Sequence, residues 1–353
     1  MFQSLPQISS QIAPQLVPQL VPLHAALALL IALVVDRLLG EPPSRWHPVV
    51  WMGNFLQVTG QRLPQRWDGL PDFKAFWAGA LVWCAGSAVV IAVAWGVQTT
   101  AAALPWPLAA LLTGLALKPL LAWRMLHDEV RAVEAALGES LAAGRARLGW
   151  LVSRDVTALS EAEVRESAIE SLAENLNDSV VAPIFWFVLL GLPGAALYRF
   201  ANTADAMWGY RGERQGRVWE WAGKWAAWAD DGLSCVPARL TAWALMVSGS
   251  VSRSTSGAVR GAVLEGGGAK CLARWSALPV QARLTPSPNS GWPMAAMALV
   301  LGVRLGKPGV YTLNALGETL QAAHMTPAHI YARNAVVVLV FGWFVAIVSV
   351  ANI

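Results

Sequence analysis

Glu170-Ser-Leu-Ala-Glu174-Asn-Leu-Asn-Asp178-Ser-Val-Val-Ala-Pro183-Ile-Phe-Trp-Phe-Val-Leu-Leu-Gly191-Leu-Pro193-Gly194-Ala-Ala-Leu-Tyr198 joins a regular acidic helix face to an apolar stretch that a regular helix does not fit. Upstream, Ser160-Glu-Ala-Glu163 has the form of a capping box, its Ser accepting from the first turn while Glu163 reaches back. Glu163, Ser167, Glu170, Glu174 and Asp178 then recur every third or fourth residue. At about 100° per residue they fill one narrow arc, with Ala168, Ile169, Leu172 and Leu176 on the opposite side. Pro183, Gly191, Pro193 and Gly194 interrupt residues 180–198, which predicts a broken helix or a re-entrant hairpin. Irregular backbone at membrane depth survives only where protein or water covers it. Downstream lie Asn202, Asp205, the run Gly209-Tyr210-Arg211-Gly212-Glu213-Arg214, a Trp-rich segment ending in Asp230-Asp231, and Pro237-Ala-Arg239. Three acidic clusters thus flank two apolar segments, and ionisable groups in or beside a membrane mark function.

The bulk numbers agree with a membrane setting. The chain has 353 residues, 56% hydrophobic and 14% charged, with a mean hydropathy of +0.46. A soluble domain is nearer a quarter charged. Nineteen Trp residues suit a chain with much surface at the membrane–water boundary. The net charge of +4 is spread out and forms no basic stripe, which argues against nucleic-acid binding. Cys84, Cys235 and Cys271 make neither a zinc signature nor a disulfide framework.

The expected fold is all-α and polytopic, with about five full transmembrane helices, one or two broken or re-entrant segments, and a polar helical insert over 123–179. Spans are expected at 23–35 with the apolar residues before it, and at 75–97, 104–122, 232–250 and 335–352. Lys118 is expected to snorkel from the end of the third. Residues 180–198 and the short apolar piece 293–303 are the irregular candidates. Residues 1–22, rich in Gln and Pro, are expected to form a disordered tail, leaving 23–353 as a single domain. Residues 251–291 are basic, Gly/Ser-rich and loop-like, and Glu265-Gly-Gly-Gly-Ala-Lys270 lacks the spacing of a phosphate loop. Lys and Arg concentrate on the side holding 36–74, 123–179 and 251–333, which is then cytoplasmic. A fully spanning 180–198 would put Asn202–Asp231 on the other side. For all three acidic clusters to form one site, 180–198 must re-enter or the clusters must meet within the bilayer.

Glu174, Asp178, Asp205, Asp230 and Asp231, joined by Asn175 and Asn202, offer oxygen ligands of the kind a hard cation such as Mg²⁺ takes, often together with a substrate's phosphates. Arg211, Arg214 and Arg239 suit phosphate or carboxylate oxygens. Asp36, Arg37 and His47, in the Pro- and Gly-rich loop after the first span, are expected to face the same site. For Glu163, Glu166 and Glu170 the competing expectation is a solvated helix face.

Asp36-Arg-Leu-Leu-Gly-Glu-Pro-Pro with His47-Pro-Val, Arg154-Asp-Val, Ala168-Ile-Glu through Trp186, Tyr198-Arg-Phe through Arg214, Asp230-Asp with Pro237-Ala-Arg-Leu240, and Ser287-Pro-Asn-Ser-Gly-Trp-Pro-Met-Ala-Ala296 follow one another in order. Together they resemble the CobD/CbiB family of adenosylcobinamide-phosphate synthases, over about residues 27–310. The family usually has His where this chain has Thr285.

The resemblance implies a multi-pass enzyme of the inner membrane, with its site on the cytoplasmic side, acting in cobalamin biosynthesis. The implied reaction joins (R)-1-aminopropan-2-ol or its O-phosphate to a propionate carboxylate of adenosylcobyric acid, with ATP. A carboxylate is a poor acyl donor, so ATP makes an acyl phosphate or adenylate and Mg²⁺ offsets the charge. On this reading Glu174, Asp178, Asp205, Asp230 and Asp231 hold metal. Asp36, Arg211, Arg214 and Arg239 act at the reacting centre, and His47 or Glu170 takes the ammonium proton. Arg37, Asn175, Asn202, Tyr210 and Asn289 bind substrate. Membrane lipid and other membrane-bound enzymes of the late pathway are the expected neighbours, and the corrinoid is a substrate, not a cofactor. Two other classes fit more loosely: an AmpE-like membrane sensor, and a transporter, for which no internal symmetry between halves is visible.

Overall fold

In the computed structural model, backbone and side chains are described for residues 23–64, 70–250 and 272–345, and backbone alone for 9–22, 251–255, 267–271 and 346–351. The expected tail at 1–22 lies outside the fully described residues, as does the Gly-rich run 265–270.

The described chain is helical, with two small hairpins. Helices α1 (Ser9–Leu39), α2 (Pro48–Gly60), α3 (Phe73–Ala102) and α4 (Trp106–Leu117) come first. The polar insert supplies α5 (Trp123–Glu139), α6 (Leu141–Leu148) and α7 (Glu161–Leu176). A π-helical turn, Asn177–Val181, carries α7 into α8 (Ala182–Trp208), followed by α9 (Lys224–Thr255), α10 (Gly267–Ala282), α11 (Gly291–Leu301) and α12 (Met325–Ala351). Strands β1 (Glu213–Arg214) and β2 (Arg217–Val218) pair antiparallel. Strands β3 (Leu305–Lys307) and β4 (Tyr311–Leu313) do likewise, setting Lys307 opposite Tyr311.

Among the described residues, four helical stretches are long and apolar enough to cross a membrane: Phe73–Ala102, Trp106–Glu139, Glu161–Trp208 and Ala322–Val345, with Gly291–Leu301 a shorter apolar helix. The protein is a polytopic helical membrane protein. Helix α9 covers the expected span at 232–250, but Arg239 and several Ser and Thr residues dilute its apolar stretch, and it is not among the four. Residues 272–282, expected as loop, form the second half of α10, where Leu278 and Ala282 are buried despite Pro279.

The expected irregularity at 180–198 is a sharp reversal. Gly191 has φ +70° and ψ −158°, a backbone that only glycine adopts without strain, and it splits α8 into two legs. Gln98 Oε1 accepts from the Leu192 N–H at 2.8 Å and so occupies a backbone donor exposed by the break. A Cβ on Gly194 would lie 2.4 Å from the carbonyl oxygen of Trp186. In a straight helix those two residues would be roughly 12 Å apart. The legs run back along each other, and the outgoing one packs on α3 through Phe200, which contacts Phe55 and Trp83.

Candidate active site

The capping box at the start of α7 is complete: the Ser160 N–H donates to Glu163 Oε2 at 2.7 Å, and the Glu163 N–H donates to Ser160 Oγ at 3.4 Å. With the helix start fixed, the acidic arc points where the spacing predicts, yet it is not solvated. Glu166 and Glu170 are each only 3% exposed. Each has an arginine partner from elsewhere in the chain: Arg304 lies 3.3 Å from Glu166, and Arg154 lies 2.8 Å from Glu170 Oε2. Glu170 Oε1 is buried with no hydrogen-bond partner among the described residues. It belongs to a cavity of about 180 Å³ that Arg154, Glu174, Asn175, Lys307 and Tyr311 also line. Burial and the nearby charge of Glu170 push the Tyr311 phenol well above its ordinary value, so it remains a neutral donor.

The π turn, just before α8, sets Asp178 against the outgoing leg of that helix. Its Oδ1 accepts from Asn177 Nδ2 at 2.8 Å and from Tyr198 Oη at 3.4 Å, while Arg199 Nη1 donates to its backbone carbonyl at 3.1 Å. Tyr198 Oη also meets Ser234 Oγ on α9 at 3.0 Å, and Asn202 Nδ2 donates to Asp230 Oδ1 at 3.4 Å. Asp178, Asp205 and Asp230 lie within electrostatic reach of one another, as do Asp205 and Asp231, and Glu174 faces Asp178 and Asp205. The reversal at Gly191 thus brings all three acidic clusters together.

The last turn of α1, which holds Asp36 and Arg37 where a loop was expected, joins this group together with the loop that follows. Asp36 is buried, 3.4 Å from Lys118 Nζ, and accepts from the Arg124 N–H at 2.8 Å. Lys118, expected to snorkel, is instead 4% exposed and also pairs with Glu41 at 2.9 Å. Two acids inside the protein attract it more than the boundary does. Glu41 takes a second bond from His47 Nε2 at 3.0 Å. Burial alone would raise its carboxyl, but the bonds from His47 and Lys118 hold it below its ordinary value. His47 Nδ1 accepts from the Val49 N–H, so both ring nitrogens are engaged. Arg199 links the two groups, since the charge of Glu41 acts on its guanidinium.

At the other rim, Asn289 Nδ2 donates to the Asp231 carbonyl at 2.7 Å and its Oδ1 accepts from Arg239 Nη1 at 3.2 Å. The Arg239 guanidinium lies 4.8 Å from the Trp292 ring centre, and Arg211 faces Asp231. Three expected residues lie apart from the acids. Arg214 stacks 3.7 Å above Tyr210, and both line a neighbouring depression with Trp219; Arg37 lines a cleft between α1, α5 and α12. Among the described residues, no three His, Cys, Asp or Glu side chains converge tightly enough to hold a metal by themselves.

Glu41, Arg154, Tyr198, Arg199, Lys307 and Tyr311 join the site without a sequence expectation of their own, and Lys118 joins it against its expected place at the boundary. Glu41, Arg154, Tyr198 and Arg199 sit inside the quoted motifs, so their neighbours were the available signal. Lys307 and Tyr311 carry no signal, since only the β3–β4 pairing sets them side by side.

The family model described as CobD/Cbib protein matches residues 29–338. A probable cobalamin biosynthesis protein CobD of Thermococcus kodakarensis is 40% identical over 79% of this chain and 82% of its own length. The cobalamin biosynthesis protein CobD of Chromobacterium violaceum is 38% identical over 78% and 79%, and that of Rhodobacter capsulatus 35% over 78% and 80%. No solved structure matches. With motifs, helical architecture and relatives in agreement over most of its length, this chain belongs to the CobD/CbiB family and has a role in cobalamin biosynthesis.

Proposed function

We propose that the protein is an acid–amine ligase that joins (R)-1-aminopropan-2-ol, or its O-phosphate, to a propionate carboxylate of adenosylcobyric acid at the cytoplasmic face of the inner membrane. The observation that carries this reading is the reversal at Gly191, which gathers Asp178, Arg199, Asn202, Asp205 and Asp230 beside the Glu170–Arg154–Lys307 cavity.

The chemistry assigns each group a task. ATP turns the propionate into an acyl phosphate or adenylate, and the amine attacks the acyl carbon to form the C–N bond and expel phosphate or AMP. Arg154 and Lys307 bind the negative oxygens of the activated acid, where a fixed cation lowers the barrier most. The attacking ammonium must first lose a proton. Of His47 and Glu170, Glu170 suits this task, because its carboxylate lines the cavity while both nitrogens of His47 are engaged.

The donor set fits Mg²⁺. It is all oxygen, and that ion takes one or two carboxylates and completes its shell with water and substrate phosphate, so no three-acid cage is needed. Asp178 and Asp230 would hold it, where it would supply charge neutralisation for the ATP phosphates. Asn202 orients Asp230, and Tyr198 orients Asp178.

The test is a condensation assay on detergent-purified protein with adenosylcobyric acid, aminopropanol O-phosphate, ATP and Mg²⁺, read by mass spectrometry with each component omitted in turn. The expected product is the corrinoid heavier by the amino alcohol phosphate minus water, formed only when all four are present. Folded protein that binds the corrinoid but makes no product overturns the ligase reading and favours a membrane sensor.

A further inference from the structure

Away from the acidic site, the cleft that takes Arg37 has an unusual lining. Arg37 ends α1, Arg124, His127 and Arg131 come from α5, and His329 and Arg333 from α12, around a cavity of about 450 Å³. Two acids, Asp128 and Glu134, also line it, and both are already paired. Asp128 pairs with Arg124 at 3.3 Å, and Glu134 pairs with Arg165 at 2.8 Å. Arg37 and Arg131 reach the cavity without an ion-pair partner among the described residues. His127 and His329 bond to each other through Nδ1 at 2.7 Å, leaving both Nε2 atoms buried and without a partner among the described residues. His329 is 8% exposed. Cations and ring nitrogens without partners in a cleft of this size fit a phosphate group.

The cavity does not end there. Trp123 lines it and also lines a second, apolar groove of about 360 Å³. Leu30 and Leu33 of α1 form one wall of that groove, and Val337, Val340 and Phe344 of α12 form the other. The Trp123 Nε1 atom, at the junction, is buried without a partner among the described residues. Arg333, Val337, Val340 and Phe344 follow one face of α12 at helical spacing. From Arg333 to Phe344 the helix advances roughly 16 Å at about 1.5 Å per residue, close to half of a hydrocarbon core about 30 Å thick. The cleft therefore has a cationic head and an apolar channel about one leaflet long.

We propose that this cleft binds one anionic phospholipid, its phosphate among Arg37, Arg124, Arg131 and Arg333 and its acyl chains between α1 and α12. Charge and length together select this occupant. A soluble phosphate would use the head and leave the groove unused, and a zwitterionic lipid would bring a cation against the arginines.

Native mass spectrometry of the full-length, delipidated protein tests it, with dioleoyl phosphatidylglycerol, dioleoyl phosphatidylcholine, inorganic phosphate and ATP as separate probes. Two variants accompany it: Arg131→Gln with Arg333→Gln at exposed head positions, and Ala26→Phe, on the α1 wall, to narrow the groove. The expected result is one retained phosphatidylglycerol at concentrations where phosphatidylcholine is lost, with at least a tenfold drop in apparent affinity in each variant. Equal retention of the two lipids would mean ordinary annular contact and overturn the proposal. So would phosphate or ATP binding that the arginine variant abolishes and Ala26→Phe leaves unchanged, which would mark a soluble-anion pocket. Retention of no probe, by protein whose helical spectrum is intact, would mean that another part of the chain fills the cleft, and would overturn it as well.

Discussion

Tyr198 Oη donates to Asp178 Oδ1 across 3.4 Å, although the two residues are 20 positions apart in a stretch that is helical on both sides. A continuous helix would separate them by roughly 30 Å. The chain turns at Gly191, where φ is +70° and a Cβ would lie 2.2 Å from Gln98 Oε1. Gly191→Ala therefore costs about 1–3 kcal/mol in backbone strain, with the clash in addition. Thermal unfolding in detergent should show a lower midpoint. If the turn assembles the site, activity should fall further than stability does, because Asp178 and Asp230 lose their common anchor. An alanine variant of unchanged midpoint and activity would refute the role given to the turn.

Gln98 offers a check from the other side. Its Oε1 is the acceptor for the Leu192 N–H. Gln98→Ala leaves that donor unsatisfied, at a cost of about 1–3 kcal/mol where it is buried. Gln98→Glu keeps an acceptor and should retain more stability than the alanine variant, as read by the same unfolding midpoint.

How far the sequence revealed this arrangement depended on the range of each interaction. The start of α7, its acidic arc and its apolar side follow from capping and a 3.6-residue period, which are local, and all are present. The break in 180–198 is legible because Gly and Pro act on their own residues. Its consequence is not, since the same residues allow a kink or a full reversal, and Gln98 with α3 decides between them. Lys118 illustrates the limit: position in the chain suggests snorkelling, whereas Asp36 and Glu41, brought near by tertiary packing, hold it inside. Lys307 and Tyr311 depend on a hairpin of two short strands, too brief for any periodic signal.

Lys118→Met tests the buried cluster. Lys118 is the shared partner of Asp36 and Glu41, and its side chain is only 5% exposed. Removing one member of a buried pair while the others remain costs about 3–5 kcal/mol. Lys118→Met combined with Asp36→Asn and Glu41→Gln should recover most of the loss, because no unbalanced charge is left inside. A single variant as stable as the parent, or a triple variant no better than the single, would show that the pairing contributes little.

Glu41 also sets a pH dependence. Its carboxyl is held below the ordinary value of 4.5 in the folded protein. Above about pH 4.5 both states are ionised and its contribution to stability is fully present. Below that value the unfolded chain takes up a proton first, so the contribution fades as pH falls through the folded value. Melting temperatures of parent and Glu41→Gln, compared from pH 7 downward, should therefore differ most near neutrality and converge in acid. A gap that widens in acid would contradict the assigned direction.

Asn202 separates a metal-orienting role from a general structural one. It donates to Asp230 Oδ1 at 3.4 Å, and its own Oδ1 lies 3.5 Å from Arg199 Nη1, so it aims a carboxylate without carrying charge. Outer partners of metal ligands typically change metal affinity by about 10–100-fold when removed. In the condensation assay, Asn202→Ala should raise the Mg²⁺ concentration for half-maximal activity by that factor, and saturating Mg²⁺ should restore most of the rate. Chelation should abolish turnover of the parent. Glu170→Gln should behave in the opposite way: about a 100-fold or greater loss of kcat, with the Mg²⁺ requirement unchanged, as expected for removal of a proton acceptor. If Asn202→Ala lowered kcat at every Mg²⁺ concentration, Asp230 would belong to the fold of the site and not to its metal.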